Sequence, residues 1–522
     1  MKNPDLSNLD LNEQFLYALH VMEETNKNVF ITGKAGTGKS TLLQYFRNTT
    51  KKNIAVLALT GVAAVNVKGQ TIHSFFGFKP DITPDIVKEI KPIDKTIYKR
   101  IDAIVIDEIS MVRADLLDCI DVFLRLYGKK KSLPFGGIQM IFIGDLYQLP
   151  PVVTSREKHF FIGHYKSPYF FDAIAIEAGF EMEFIELSKV YRQRDEGFLR
   201  LLNAIRNNTA SDIDLEDINS RYIPDFKEAD SDFYIYLTTT NDIASAINNE
   251  RLSMINGKVY SYNGSLKGDF DIKSLPTSME ISFKIGAQVM LLNNDSMGRW
   301  INGTIGRVLD IEKGIKGEPD IIWVELPDGE KVDVMPYRWE MYEFHYDKKS
   351  GIVISDVVGT FTQYPLKLAW AVTIHKSQGM TFDRVIIDIG RGTFSHGQLY
   401  VALSRCTTLN GIVLKRPIAK KHIFMDRRVV DFVTKYQYKQ AQKSMPSDER
   451  LAIIEKAIKD KKMLEIVYLK TKDEKSRRTI LPSFVGEIQY NGRKFTGVRA
   501  YCTSRRDERV FHIDRILEIR EV

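Results

Sequence analysis

The residue types best suited to chemistry are Gly33, Gly38, Lys39 and Ser40, spaced as G-x-x-x-x-G-K-[ST] within VFITGKAGTGKST (residues 29–41). This is the spacing of a loop that binds a nucleoside triphosphate. Gly36 and Gly38 let the backbone curl until successive N–H groups point at one phosphate, helped by the positive end of the helix that follows. Lys39 can reach the β- and γ-phosphates, and the Ser40 hydroxyl can ligate Mg²⁺. The motif lies where it must, between a short apolar strand (28–32) and the start of a helix.

Two carboxylates and an amide follow. Asp107 comes straight after four apolar residues, the position from which a carboxylate holds the nucleotide's Mg²⁺, directly or through water. Glu108 beside it is placed to polarise the attacking water. An Asp-Glu pair by itself most often just solvates a loop; its place after a buried strand and downstream of the glycine-rich loop gives it the catalytic reading. Gln148, in GDLYQLPPV (144–152), lies at another strand end, where its amide can sense the γ-phosphate.

The elements that position these groups alternate between strand and helix. A helix over 12–24 carries Phe15, Leu16 and Leu19 at helical spacing, with Gln14 near its start. Apolar runs at 54–59, 103–106 and 138–143 read as parallel strands buried on both faces. Each ends in a polar motif, as expected of an open α/β sheet whose ligands gather at the carboxyl ends. Residues 79–100 are polar and proline-punctuated, a small insertion. In the second half, strands at 183–187 and 234–237 lead into SKVYRQRDEGFLRLLNAIR and TTTNDIASAINNERL. Residues 283–365 turn β-rich and read as a small inserted barrel, after which the α/β pattern resumes over 365–388 and 397–414. A second α/β lobe without its own phosphate loop has a mechanical use. It closes on the nucleotide and supplies arginines against the charge developing on the γ-phosphate, worth roughly 10³–10⁵ in turnover. Arg192 and Arg405 are the candidates.

Bulk properties bound the answer. A chain of 522 residues exceeds one core, and length suggests three or four domains. A net charge of +7 permits an anionic partner without requiring one. Cys119, Cys406 and Cys502 are isolated, so a disulfide framework, a zinc site and an iron–sulfur cluster are not expected. With no apolar signal core and no run near the ~18 residues of a membrane span, the expected setting is reduced and cytoplasmic, with no membrane partner.

Several motifs occur in a telling order: GKAGTGKST, TGVAAVNVKGQTIHSFFG, VIDEISM, FGGIQMIFIGDLYQLPPV, VYRQ, WINGTIG, LAWAVTIHKSQGMTFD and LYVALSRC. In that order and wording the chain resembles superfamily-one helicases, most of all the Pif-one family (petite integration frequency DNA helicases). The resemblance covers about residues 11–425. It implies two RecA-like lobes, 1–182 with a wedge-bearing insertion near 78–100, and 183–436 with an SH3-like insertion over 283–365. It implies ATP and Mg²⁺ as cofactors, translocation 5′-to-3′ on single-stranded DNA, and unwinding of duplex, forked or structured DNA by a monomer, nucleoid-associated in a bacterium. By the same likeness Gln14 would read adenine. Gly33, Lys34, Ala35, Gly36, Thr37, Gly38, Lys39, Ser40 and Thr41 would hold the phosphates, and Gln148, Arg192, Gly379 and Arg405 would line the γ-phosphate side. Thr60, Asn66, His73, Phe75, Thr373, His375 and Lys376 fall in motifs that face DNA, which suits hydroxyls, amides and cations for phosphates and an aromatic for stacking. Two alternatives stay open: an ATPase translocase that remodels nucleoprotein without processive unwinding, and a nucleotide-dependent switch.

Beyond a polar linker at 437–449, the tail 450–522 reads as a helix (451–461) and strands at 463–469, 479–484, 495–501 and 510–513. Its pattern resembles the WYL domain, a small SH3-like barrel, with Phe495-Thr496-Gly497 where the naming tripeptide belongs. It has no plausible nucleophile–base pair. Its cations, among them Lys470, Lys472, Lys475, Arg477, Arg478, Arg493, Lys494, Arg499, Arg505, Arg506 and Arg509, with Tyr468, Phe484, Tyr490 and Tyr501, suggest a binding module for single-stranded DNA or a protein partner.

Overall fold

A computed structural model describes residues 12–522 apart from 154–156, 158–160, 162, 192–194, 228, 230–231, 316, 391–394, 471–474 and 491. The expectations for Arg192 and Lys472, and for the side chains of Tyr490 and Arg493, fall outside what is described. The chain forms two compact units, residues 1–205 with 210–424, and residues 206–209 with 425–522.

The first unit opens on a six-stranded sheet of β1 (Asn28–Gly33), β2 (Ile54–Ala58), β3 (Gln70–Thr71), β4 (Ala103–Ile106), β5 (Gln139–Ile143) and β6 (Met182–Leu187). The strand order is β3-β2-β4-β5-β1-β6, parallel throughout. Alternate side chains of β1 show why the strand is apolar along its length. Val29 and Ile31 join the core made with Phe15, Leu42 and Phe46 of the flanking helices Glu13–Glu24 and Lys39–Thr49. Phe30 turns to the other face, edge-on to Phe170 and Phe184. A sheet covered on both sides has no polar face to offer.

One assignment is corrected here. The strand expected to begin the second lobe, residues 183–187, is β6 of the first sheet and pairs with β1 from Asn28↔Met182 to Gly33↔Leu187. Its apolar residues, Phe184, Ile185 and Leu187, complete cores that β1 begins, and sequence order alone does not reveal that edge position.

A second parallel sheet has β7 (Ile235–Thr238), β8 (Ala371–Thr373), β9 (Val385–Ile387) and β10 (Ile412–Leu414) in the order β8-β7-β9-β10. Between β7 and β8 lies the β-rich insertion, which starts earlier than residue 283. Tyr260–Asn263 pairs with Glu280–Phe283, and Ser265–Gly268 pairs with Ile352–Gln363. The long hairpin Tyr337–Asp347 with Ile352–Gln363 reaches the first sheet's region, where Phe344 N donates to Gln70 Oε1 and Val353 N to Asn53 Oδ1.

The second unit corrects the expected linker. Helix Arg427–Ser444 runs through residues 437–444 because its polar sequence hides an inward stripe, Val430, Val433, Gln437 and Ala441 at helical spacing. Only Met445 and Pro446 separate it from helix Ser447–Lys459. A sheet of β11 (Leu464–Leu469), β12 (Lys475–Tyr490), β13 (Arg493–Cys502), β14 (Asp507–His512) and β15 (Ile516–Glu521) follows, ordered β14-β13-β12-β11-β15 and antiparallel. Lys475, Arg477 and Arg478 lie on β12 and not in a loop, since β12 extends well beyond the expected 479–484. Arg477 and Arg520 both approach Glu465, so part of the basic charge is paired across strands. Cys502 is a core residue, and Phe495 stacks on His512 with ring centres 4.6 Å apart.

Candidate nucleotide site between two parallel sheets

β1 delivers the phosphate loop and helix Lys39–Thr49 carries it away. Gly38 sits at the N-cap with φ 87°, a left-handed conformation that favours glycine, and aims the first helical N–H groups into the loop. A Cβ on Gly33 would stand 2.6 Å from Thr37 Oγ1 and 2.7 Å from the Leu187 carbonyl, so β1 and β6 can close only around a glycine. Thr37 is buried and its hydroxyl donates to Lys34 O, fixing the curl. Lys39 Nζ donates to the carbonyls of Gly33 and Lys34 at 2.7 and 3.0 Å, which places the ammonium inside the loop it serves. Ser40 and Thr41 follow on the helix, with Ser40 exposed.

Asp107 and Glu108 leave the carboxyl end of β4. Glu108 adopts φ 49°, left-handed for a non-glycine residue, and so directs its side chain away from the path of the strand. Burial raises the pKa of both carboxyls, and Asp107 and Asp145 raise Glu108 further, while Lys39 opposes the shift at both. The Asp107 carboxyl and the Ser40 hydroxyl suit a hard divalent ion that keeps waters and takes few protein oxygens. Among the described residues no group of three or more His, Cys, Asp or Glu side chains forms a denser metal site.

The second sheet closes the site. Gln378 Nε2 donates to Glu108 Oε2 at 3.3 Å, and Gly379 follows in a left-handed turn. Ala35 N donates to the Tyr400 hydroxyl at 3.0 Å, from helix Gln398–Leu403. His396 Nε2 is 3.0 Å from Leu146 O, so that ring nitrogen carries the proton. A Cβ on Gly397 would strike the carbonyls of Tyr147 and Gln148, a second place where only glycine permits the approach. Gln148 is buried, with its amide on Asp145 Oδ2 at 3.2 Å. Arg405 is 1% exposed; its guanidinium donates to the carbonyls of Val401, Ser377 and Met380 and to Ser404 Oγ, and its charge is felt at Glu108.

Gln14 accepts from both the N–H and hydroxyl of Ser188, which orients its amide beside the phosphate loop. Tyr191 joins it there: its N–H donates to Gly36 O at 2.8 Å, and its hydroxyl accepts from Asn12. Asp145, Tyr191, Gln378 and Tyr400 are the residues that motif reading missed. Each lies within a quoted motif, but only the three-dimensional contact shows what it touches.

The residues expected to face DNA divide by burial. Thr60, Asn66 and Lys376 are exposed, and Thr60 also caps helix Gly61–Asn66 through Ala63 N. His73 and His375 are half-buried, and burial lowers the pKa of both. Thr373 is buried and accepts from Lys376 N. Phe75 packs inside an aromatic cluster: at 5% exposure it sits edge-on to Phe76, Tyr98 and Phe344.

Comparison with known proteins agrees with this geometry. A family profile described as PIF1-like helicase matches residues 12–215, one described as UvrD-like helicase C-terminal domain matches 368–413, and one described as WYL domain matches 449–521. The ATP-dependent DNA helicase Pif1 of Bdellovibrio bacteriovorus is 32% identical over 445 residues, 82% of this chain and 93% of that protein. The crystal structure of Bacteroides sp Pif1 in complex with ADP-AlF4 superposes with a TM-score of 0.74 at 33% identity, over 83% of this chain and 98% of that one. A structure of Pif1 helicase from Bacteroides in complex with ADP-AlF3 and ssDNA gives 0.59 at 35% identity, over 82% and 98%. Vertebrate relatives are longer: the match to Xenopus laevis PIF1, 35% identical over 400 residues, takes in 74% of this chain but 59% of that protein. With the phosphate loop, the Asp107–Glu108 pair and the closing second sheet all in place, the chain belongs to the PIF1-like helicase family.

Proposed function

We propose that this protein is an ATP-dependent DNA helicase that moves 5′-to-3′ on single-stranded DNA and unwinds duplex or structured DNA. The observation that carries the reading is the meeting of Ala35 and Glu108, from the first sheet, with Tyr400, Gln378 and Arg405 from the second. Hydrolysis would then change what the second sheet touches, which is the requirement for turning chemistry into movement. The relatives' names and the single-stranded DNA held in the Bacteroides complex support DNA as the track.

In this reading Gln14 presents its amide to adenine, and the N–H groups of residues 33–41 with Lys39 bind the phosphates. Ser40 and Asp107 would hold Mg²⁺, which when bound neutralises phosphate charge. Glu108 orients the attacking water and takes its proton. Gln148, Arg405 and Arg192 line the γ-phosphate side. Thr60, Asn66, His73, Thr373, His375 and Lys376 would position DNA phosphates, with no preference for base sequence. The C-terminal WYL domain would hold single-stranded DNA or a protein partner.

Strand displacement on two partial duplexes tests the polarity and the activity together. ATP-driven release from the duplex with a 5′ tail alone is expected. Release from a 3′ tail alone would reverse the polarity, and ATP hydrolysis without release from either would favour a translocase that remodels nucleoprotein.

A further inference from the structure

Away from the candidate nucleotide site, the carboxyl ends of β9 and β10 border an open cleft of about 550 Å³ whose lining includes Tyr222, Gly390, Lys415, Arg416, Lys421 and His422. Nothing in the catalytic arrangement uses it. The carboxyl edge of a parallel sheet is where an α/β fold gathers ligands, and here the edge is basic. Lys415 Nζ is held by the carbonyls of Pro224 and Phe226, so its position is fixed while its charge stays uncompensated by any carboxylate among the described residues. Arg416 approaches one acid, Asp388, at 3.6 Å, and Lys421 is exposed. Of the three cations only Arg416 has a carboxylate partner within 4 Å among the described residues. His422 Nδ1 accepts from Ala419 N, which leaves the proton on Nε2, so the neutral ring is a donor. Tyr222, also in the lining, is 40% exposed, its backbone anchored by a bridge to Leu414.

Donors, cations and an exposed aromatic ring lining one cleft suit a phosphate ester whose attached ring system is planar. Position favours a polymer over a free nucleotide. Thr373, His375 and Lys376 leave the carboxyl end of β8, and the order β8-β7-β9-β10 puts the cleft two to three strands along the same edge. That is about 10–14 Å away at the usual spacing of neighbouring strands. A strand that crosses Lys376 and runs along this edge would reach the cleft within a few nucleotides.

We propose that this cleft is a further nucleic-acid contact, in which Lys415, Arg416 and Lys421 take a backbone phosphate of single-stranded DNA and Tyr222 stacks the adjoining base. The proposal rests on the helicase reading and deepens it by extending the track.

Fluorescence anisotropy with oligothymidylates of increasing length tests it in the full chain, wild type against Arg416→Glu with Lys421→Glu, and separately Tyr222→Ala. These side chains are exposed, and DNA-saturated ATP turnover should stay at the wild-type level. The double variant should bind the longer oligonucleotides at least tenfold more weakly and the shortest ones normally. The slope of log affinity against log salt should fall by about 0.7 for each phosphate that the variant no longer neutralises. Tyr222→Ala should weaken binding about fivefold or more while leaving the salt slope unchanged. Equal affinity and slope in wild type and variants at every length would overturn this proposal alone. A wild-type protein that binds no oligonucleotide would overturn the helicase reading with it. Titration with thymidine monophosphate separates the other source of the same chemistry. Tight binding abolished by the double variant, with oligonucleotide binding unaffected, would make the cleft a small-molecule site and overturn the DNA assignment.

Discussion

The phenolic oxygen of Tyr400 accepts a hydrogen bond from Ala35 N at 3.0 Å, and both groups are buried. A side chain of the second sheet's closing helix therefore touches the phosphate loop itself. Tyr400→Phe keeps the ring and removes the hydroxyl that accepts this bond. One neutral hydrogen bond is worth about 0.5–1.5 kcal/mol, so DNA-stimulated turnover should fall about two- to tenfold. ATP affinity, measured with a fluorescent analogue, should change less than turnover. A loss confined to affinity would show that the contact shapes the ground state only.

Lys39→Ala should abolish ATP hydrolysis in a protein that remains folded by circular dichroism. Its ammonium lies within 3.0 Å of two loop carbonyls, where the β- and γ-phosphates are expected. Normal turnover in a folded variant would remove the site from consideration.

Glu108 should give a pH signature in both activity and stability. Its pKa is raised in the folded protein, chiefly by burial and then by Asp107. The base acts only when ionised, so the acid limb of turnover should lie above the ordinary carboxylate range, and Glu108→Gln should lose most turnover while still binding ATP. For stability, the folded state holds this proton more tightly than the unfolded chain does. The associated stability is present below the ordinary carboxylate range and is lost as pH rises through the raised value. The Tm of Glu108→Gln should therefore exceed that of wild type by more at pH 8 than at pH 5.

Phe75→Ala should act on folding. The ring is 5% exposed within an aromatic cluster, and truncation there costs about 3–5 kcal/mol. Phe75→Leu should restore most of the stability and bind single-stranded DNA as wild type does. A stable Phe75→Leu protein with weakened DNA binding would return the residue to the track.

Where several signals agree, the chain can be read in advance. Residues 103–106 are a strand to the residue, and the phosphate loop lies between the strand and helix that its motif demands. Sequence reading fails where partners are distant. β6 resembles the start of a new lobe because its neighbour β1 lies far back in sequence. The last turns of helix Arg427–Ser444, from residue 437, pass for a linker because Gln437 interrupts its apolar stripe, and β15, with Leu517 and Glu518 between isoleucines, shows too brief an alternation to register. The packing of Phe75 is not legible because spacing identifies an aromatic without saying which way it faces. Tyr400 and Gln378 have no local mark, since their partners are contributed by the other sheet.

The placement of β6 has a mechanical consequence. Strands β1–β6 all precede β7–β10, so the backbone passes from one sheet to the other once, through the segment after Leu187. Within that passage Tyr191 N donates to Gly36 O at 2.8 Å and Ser188 binds Gln14. Residues 188–191, the first stretch of that passage, thus run beside the phosphate loop, and in the proposed reading any swing between the two sheets would pivot on a segment joined to the residues that bind the nucleotide.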